Sequence, residues 1–206
     1  MKLRASGMPV FVDENELANH LETLLKPKYK EVYASVNLAS HRFYQDWEKW
    51  WGTDPPIAQP QIDLLLVSSD LRLHAVELKY YRPTKTAQTN WPYYSGIDEA
   101  LAMLKFGVFS SSLWHFFDAD TPIDLMKSYF RDCWEMITVL GLKMWYKAFR
   151  VHSREDFKEM ARMSYIEMTP DFTPYGDNPL INNTHAMRAA DFIRKALHIP
   201  TTPQDR

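Results

Sequence analysis

Residues 61–82, QIDLLLVSSDLRLHAVELKYYR, constrain the fold more than any other part of the chain. Two apolar runs rich in Leu and Val flank the short polar segment SSDLR, which is the pattern of two strands joined by a tight turn. We predict strands at about 62–69 and 73–80. Both runs are apolar on both faces, as expected of strands in a sheet that is covered on each side. The hairpin therefore predicts a covered sheet.

Three charged residues interrupt this apolar hairpin: Asp63, Glu77 and Lys79. Glu77 and Lys79 are two positions apart, so their side chains point to the same face of a strand. A turn centred on Asp70 places Asp63 directly opposite Glu77. Two carboxylates this close repel each other, and one lysine cannot neutralise both, whereas a divalent cation can. The alternative is an ordinary ion pair at a strand end that leans into solvent.

The rest of the sequence alternates between helical and strand-like patterns. It contains no repeat and no Gly/Ser linker, so we predict a single domain over 1–206 with a mixed α/β fold. Helices are expected in ENELANHLETLLKP, HRFYQDWEKWW, SGIDEALAMLKFG, 122–136, SREDFKEMARM and THAMRAADFIRKAL, and further strands in EVYASVNLA, SSLWHFFD, MITVL and KMWYKAFRV. Ser95 and Asp98 have the spacing of a capping box, and Gly107 is a plausible helix stop.

Composition narrows the functional classes. A net charge of −2 and 46% hydrophobic residues describe an ordinary globular protein and not a basic nucleic-acid coat. The single cysteine, Cys133, excludes a disulfide framework and a cysteine-built zinc site, and we expect it, like His74, to be a core residue. No apolar run reaches the roughly 18 to 20 residues of a membrane helix, and no signal peptide is recognisable, so we expect a cytoplasmic protein without a membrane partner.

The spacing of the charged residues resembles a known nuclease motif. Asp63, thirteen intervening residues and then Glu-Leu-Lys at 77–79 resemble the PD-(D/E)xK motif of the restriction-endonuclease-like nuclease superfamily, with Ile62 in place of the proline. A preceding helix with a glutamate and a following helix and strand extend the resemblance over roughly 13–117. It implies a restriction-endonuclease-like mixed β-sheet flanked by helices, with additional C-terminal helices in an extension over 118–206 that packs on the core.

The resemblance also implies a metal site. Asp63, Glu77 and the backbone carbonyl of Leu78 would bind Mg²⁺ or Mn²⁺, and Lys79 would orient or activate the attacking water. Many members add a glutamate from the first helix, and Glu16 is the choice here because it lies at the edge of the apolar stripe of that helix. The alternative for Glu16 is a solvated carboxylate favoured by the helix dipole.

Charged and aromatic residues follow the motif. Cations and stacking rings beside a phosphodiester site suit single strands or frayed duplex ends, although aromatics that cover the core are the alternative interpretation. The residues predicted to contact nucleic acid are Tyr81, Arg82, Lys85, Trp91, Tyr93 and Tyr94.

The leading hypothesis is a Mg²⁺-dependent nuclease that hydrolyses phosphodiester bonds, with DNA favoured over RNA as substrate. A second hypothesis keeps the fold but makes the protein a non-catalytic nucleic-acid-binding or assembly subunit. A third, a small-molecule enzyme or protein-interaction domain with an incidental E-x-K, requires Asp63 and Glu77 to lie far apart. Many members of the superfamily act as dimers, so a homodimer is an open alternative, without a recognisable interface signature in the sequence.

Overall fold

The structure is a computed structural model, and it describes residues 9–38, 61–82, 92–159 and 177–201. The helices in these residues are α1 (Glu14–Leu25), α2 (Ile97–Ala102), a 3₁₀ helix (Met103–Phe106), α3 (Ile123–Val139) and α4 (Thr184–Ala196). The strands are β1 (Glu31–Asn37), β2 (Gln61–Val67), β3 (Leu73–Tyr81), β4 (Ser110–Asp118), β5 (Trp145–Val151) and β6 (Phe157–Glu159). Among the helices described, none combines the length and apolar character needed to cross a membrane.

The strands form one sheet in the order β1-β2-β3-β4-β5-β6, so strands that are consecutive in the sequence are neighbours. β1, β2 and β3 form an antiparallel meander, and β6 is antiparallel to β5. β4 is parallel to both β3 and β5, and parallel neighbours need crossover connections, which contain α2 and α3 respectively. The predicted mixed α/β architecture, a mixed sheet with flanking helices, is therefore confirmed.

One face of the sheet is covered by α1. The helix buries Leu17, Ala18 and Leu21, which lie on one side of a helix because of its 3.6-residue period. These side chains pack in a cluster that includes Leu64 and Leu78 from the central strands. The apolar stripe predicted from the sequence is thus the surface that fixes the position of α1 on the sheet. The position of α1 in turn fixes where the carboxylates of its first turn lie.

The opposite face is covered by α2, α3 and α4. Helix α3 contributes Phe130, Trp134 and Ile137 to one buried cluster, and α4 contributes Phe192 and Ile193 to another. Both faces of β3 and β4 are consequently covered, which explains why these strands read as apolar runs.

The segment MITVL, at 136–140, is not a strand but the end of α3. Ile137 continues the buried stripe formed by Phe130, Cys133 and Trp134 at helical spacing. Burial along this stripe outweighs the strand preference of Ile, Thr and Val, because strand propensity depends strongly on packing context.

The segment SREDFKEMARM is not helical in its described part. Residues 157–159 form β6, which pairs with β5 through Val151 and Phe157. The Phe157 ring stacks on Phe11 with their centroids 6.1 Å apart. The aromatic contact and the strand edge together favour extended backbone there. The rest of this segment, and the predicted helix HRFYQDWEKWW, lie outside the described residues.

The start of α2 also differs from the prediction. Its N-cap is Gly96, in the left-handed region with φ of +88°, and no side chain caps the helix, so the capping box between Ser95 and Asp98 is wrong. Gly107 does end the 3₁₀ helix that follows, at φ of +69°. Cys133 is fully buried, as predicted.

Candidate metal centre

The register of the hairpin brings Asp63 and Glu77 together. The ladder between β2 and β3 runs as far as Leu64 opposite Val76, and the next position on each strand holds one of the two carboxylates. There the Asp63 Oδ2 accepts a hydrogen bond of 2.8 Å from the Leu78 N–H. In a regular β-ladder this N–H would donate to a backbone carbonyl of the neighbouring strand. The predicted register is confirmed, and the alternative in which the two carboxylates lie far apart is wrong.

The backbone of β3 beyond this point faces a gap that carboxylates fill. Glu14, the first residue of α1, accepts a hydrogen bond of 3.0 Å from the Tyr80 N–H through its Oε1. The N–H and C=O groups of one strand residue point to the same side. Since the Leu78 N–H is directed to Asp63, the Leu78 C=O group is directed into the same gap.

Lys79 lies close to the carboxylates of three glutamates. Its Nζ is 2.7 Å from Glu77 Oε1, 2.7 Å from Glu99 Oε2 and 3.9 Å from Glu14 Oε2, and its side chain is only 15% exposed. Together with Asp63, these residues form what we call the carboxylate cluster (Glu14, Asp63, Glu77 and Glu99). One ammonium for four carboxylates leaves an excess of negative charge.

Burial perturbs the charges of the cluster. It raises the pKa of Asp63 to about 6, although the Leu78 N–H acts in the opposite direction. Burial, followed by the Asp63 carboxylate, raises the pKa of Glu77 to about 9. The site therefore retains a proton near neutral pH that a cation would displace.

Lys79 and Glu99 are the charged pair of the site. Burial disfavours the Lys79 ammonium, but hydrogen bonds to Glu77 and Glu99 outweigh this effect and raise the pKa of Lys79. For Glu99, burial acts to raise the pKa, and the hydrogen bonds from Lys79 and Glu77 lower it overall.

Gly96 allows α2 to approach the strand this closely. A Cβ atom on Gly96 would lie 2.7 Å from Leu113 Cδ1, 3.0 Å from Lys79 Cε and 3.2 Å from Glu77 Cγ. The start of α2 therefore rests directly on the two charged side chains of β3. This contact places Glu99, one turn into the helix, within reach of Lys79.

The donor set suits a hard divalent cation. Asp63 and Glu77 occupy facing positions at the end of the β2–β3 ladder, and the Leu78 carbonyl adds a third oxygen. Mg²⁺ prefers oxygen ligands and keeps several waters. Within the described ranges, no group of three or more His, Cys, Asp or Glu side chains forms a ready-made metal site. The fit therefore rests on two carboxylates and a backbone carbonyl, with water completing the coordination shell.

The structure places Glu16, predicted as an additional site residue, away from Lys79. Its Oε2 accepts a hydrogen bond of 2.6 Å from the Val12 N–H, and its Oε1 pairs with Arg154. These two interactions hold the pKa of Glu16 below its usual value. Glu16 thus stabilises the start of α1, while Glu14 is the helix carboxylate that reaches the site.

Two of the predicted nucleic-acid contacts are structural. Tyr81 is 5% exposed, and its hydroxyl lies 3.3 Å from His115 Nε2 in the core under α3, so its prediction as a nucleic-acid contact is wrong. Arg82 is exposed, but its guanidinium donates to the Val12 carbonyl and ties the segment before α1 to the end of β3.

Tyr93 and Tyr94 remain at the surface beside the site. They are 37% and 51% exposed, and their rings meet edge to face with centroids 5.3 Å apart. Tyr94 and Glu99 line a groove of about 630 Å³ whose other wall is the apolar C-terminal end of α3. Lys85 and Trp91, also predicted to contact nucleic acid, lie outside the described residues.

Sequence reasoning missed Glu14 and Glu99. Glu14 is the first residue of a predicted helix, and Glu99 lies in the first turn of another, so both positions carried a weak signal. Neither belongs to the motif, and their distance from Lys79 depends on how two helices dock on the sheet.

Comparison of the chain with protein-family models, with curated proteins and with solved structures gives no match.

Proposed function

We propose that this protein is a metal-dependent nuclease that hydrolyses phosphodiester bonds in DNA. The observation that carries the proposal is the juxtaposition of Asp63 and Glu77 at the gap between β2 and β3, with Lys79 on the same face. Clustered carboxylates with raised pKa values beside a buried lysine are more common at functional sites than at purely structural ones.

The order of elements supports a restriction-endonuclease-like fold as part of this proposal. A helix that supplies a glutamate precedes the hairpin, and the helix α2 and the parallel strand β4 follow it. This is the context that the PD-(D/E)xK resemblance implies. The contribution of Glu14 adds a residue that the motif itself does not contain.

Each residue of the proposed site has a chemical role. Asp63, Glu77 and the Leu78 carbonyl would hold Mg²⁺ or Mn²⁺. Such an ion lowers the pKa of a bound water and offsets the charge that grows on a phosphate under in-line attack. The Lys79 ammonium would stabilise that developing charge electrostatically, in a site where little water competes.

A cleavage assay tests the proposal. Purified protein is incubated with linear, circular, single-stranded and branched DNA, with Mg²⁺, with Mn²⁺ and with EDTA. We expect cleavage only with a divalent cation, and its loss in Asp63→Ala and Lys79→Ala. Glu135→Gln, which removes an exposed carboxylate from α3, serves as the control and should cut like the wild type.

Two results would count against this function. Cleavage retained in both Asp63→Ala and Lys79→Ala would remove this site from consideration. Salt-sensitive DNA binding without cleavage under any metal condition would favour the second hypothesis, a non-catalytic nucleic-acid-binding or assembly subunit. Circular dichroism of each variant separates loss of activity from loss of folding.

A further inference from the structure

The Lys79 ammonium makes two short contacts to carboxyl groups in different settings. One partner, Glu77, is on the same strand and is almost fully buried, with 4% of its surface exposed. The other partner, Glu99, comes from α2, and its side chain is 51% exposed. Both lie 2.7 Å from the Lys79 Nζ. Glu99 thus adds a second carboxylate, from a different element, to the same ammonium.

Glu77 cannot hold Lys79 and a metal ion equally well. A carboxylate that binds a dication shares its charge with that ion, and the ion repels an ammonium group close to it. If Glu77 is a metal ligand, as the proposed function requires, its attraction for Lys79 weakens when the site is loaded. Lys79 then needs another anion to stay beside the reacting phosphate.

Glu14 does not meet this need. Its Oε2 is 3.9 Å from the Lys79 Nζ, which is too long for a hydrogen bond. Its Oε1 is engaged by the Tyr80 N–H at 3.0 Å. Asp63 accepts the Leu78 N–H on the other side of the gap. Among the carboxylates described at the site, Glu99 is the one that combines a short contact to Lys79 with no role as a proposed metal ligand.

The position of Glu99 is built into the fold. A Cβ atom at Gly96 would lie 3.0 Å from Lys79 Cε and 3.2 Å from Glu77 Cγ, so the start of α2 lies close over these two side chains of β3. Asp98, next to Glu99 in that turn, is exposed and forms no ion pair with Lys79 in the described residues. The contact from Glu99 is therefore specific to one position of the helix.

We propose that Glu99 is a positioning residue that holds the Lys79 ammonium in place when Glu77 binds the metal ion. This inference rests on the proposed function, because it assigns Glu77 to the metal and Lys79 to the reacting phosphate. It adds a residue outside the motif to the working site.

The first test observes Lys79 directly and needs no activity. Buried, hydrogen-bonded lysine ammonium groups give ¹H–¹⁵N NMR signals that rapidly exchanging ones do not. The Lys79 signal is identified by its absence in Lys79→Gln. With saturating Mg²⁺, we expect this signal in the wild type and in the control Asp98→Asn, and its loss in Glu99→Gln. A Lys79 signal that persists in Glu99→Gln overturns the inference.

The second test measures cleavage as a function of Mg²⁺ concentration. We expect Glu99→Gln to lower kcat by about 10- to 100-fold, the usual effect of a group that orients another at a metal site, with the half-saturating Mg²⁺ concentration unchanged. An increase in that concentration with kcat restored at high Mg²⁺ would make Glu99 a metal ligand and overturn the positioning role. An unchanged kcat in Glu99→Gln would also overturn the positioning role.

The two tests separate this inference from the proposed function. If the wild type cuts no DNA but its Lys79 signal still depends on Glu99, the nuclease proposal fails and the positioning contact stands. If the wild type cuts DNA and Glu99→Gln changes neither measurement, the nuclease proposal stands and the inference fails.

Discussion

Glu14 and Glu16 occupy the same turn of α1 but serve different ends. The Glu14 carboxylate reaches the Tyr80 N–H and approaches Lys79, whereas Glu16 accepts the Val12 N–H and pairs with Arg154. Two positions along a helix correspond to a rotation of about 200°, so neighbouring acidic residues face nearly opposite directions. We therefore assign Glu14 to the proposed site and Glu16 to stabilising the start of α1.

Replacing each of these glutamates by glutamine should separate their roles. Glu14→Gln keeps a hydrogen-bond acceptor but removes a charge from the site, so we expect cleavage to fall by about 10- to 100-fold. Glu16→Gln removes only a partly exposed ion pair, so its free energy of unfolding should change by about 1 kcal/mol or less and its cleavage rate should not change. Equal rates in the two variants would contradict the assignment of Glu14 to the site.

The raised pKa values of Asp63 and Glu77 link folding to pH. Unfolded carboxyls titrate near pH 4, whereas the folded values are about 6 and about 9. Between these limits the folded state binds more protons, so the free energy of unfolding contributed by this pair falls as pH rises. The raised pKa of Lys79 adds no slope in this window, because its ammonium is charged in both states.

Thermal unfolding in EDTA should therefore show a Tm that falls more steeply between pH 7 and pH 9 for the wild type than for Glu77→Gln, because the histidines with lowered pKa values are neutral in both states over this range. The proposed function has Mg²⁺ take the place of the retained proton, so the increase in Tm caused by Mg²⁺ should be larger at pH 8 than at pH 6. A Mg²⁺ effect that is independent of pH would show that the cation does not compete with this proton.

At the scale of elements, α2 depends on one residue without a side chain. Gly96 has a positive φ, and a methyl group there would lie within 3.2 Å of Leu113, Lys79 and Glu77, so it would meet both backbone strain and crowding. Gly141, after α3, also has a positive φ of +60°, but a Cβ atom there would have no neighbour within 4 Å. Replacing each glycine by alanine therefore distinguishes the cost of backbone strain, which both positions share, from the cost of crowding, which only Gly96 has.

Gly96→Ala should lower the free energy of unfolding by about 2 to 4 kcal/mol, the sum of left-handed strain and overpacking. Gly141→Ala should lower it by about 1 kcal/mol, from strain alone. Urea unfolding monitored by tryptophan fluorescence measures both values. Cleavage at a temperature where both variants are folded should fall only in Gly96→Ala, and equal losses of stability would argue against the close packing of α2 on β3.

The hairpin and α3 show which structural features a local sequence pattern predicts and which it does not. The hairpin has the predicted register because the short polar segment between the two apolar runs forms a tight turn centred on Asp70, and the length of a tight turn fixes which residues lie opposite each other. The end of α3 was predicted as a strand because MITVL is short and apolar, and such runs do not distinguish a strand from a buried helix. The stripe that decides between them extends back to Phe130.

For the molecule as a whole, net charge would limit how DNA, the proposed substrate, approaches. The chain has a net charge of −2, and the carboxylate cluster repels phosphate unless a cation is bound. Base stacking in the groove beside Tyr94 is a mode of contact that does not depend on charge. We therefore expect recognition through rings as well as through the metal site.

Tyr94→Ala should weaken single-stranded DNA binding by about tenfold, as expected for the loss of one stacking contact. Val139→Ala is the control, because this residue is 75% exposed near the end of α3 but does not line the groove. Fluorescence anisotropy with Ca²⁺ in place of Mg²⁺ measures binding without cleavage. Equal affinities for the two variants would exclude the groove as a stacking surface.

Local sequence patterns were sufficient to predict the helical stripe of α1, the hairpin register and the shared face of Asp63, Glu77 and Lys79. These features depend on periods of 3.6 and 2 residues, which operate within one element or one tight turn. The burial of Tyr81 could not be predicted in this way. Strand alternation predicts on which face of the sheet a side chain lies, but not which helix covers that face.

Tertiary packing brings the remaining residues of the proposed site together. Glu14 is separated from Lys79 by 65 positions and Glu99 by 20, and each reaches the ammonium because a helix docks on the sheet at one particular place. That docking depends on the apolar surface of α1 and on the missing side chain of Gly96. Packing between elements, and not periodicity within them, therefore adds Glu14 and Glu99 to the charged residues of the hairpin and completes the carboxylate cluster.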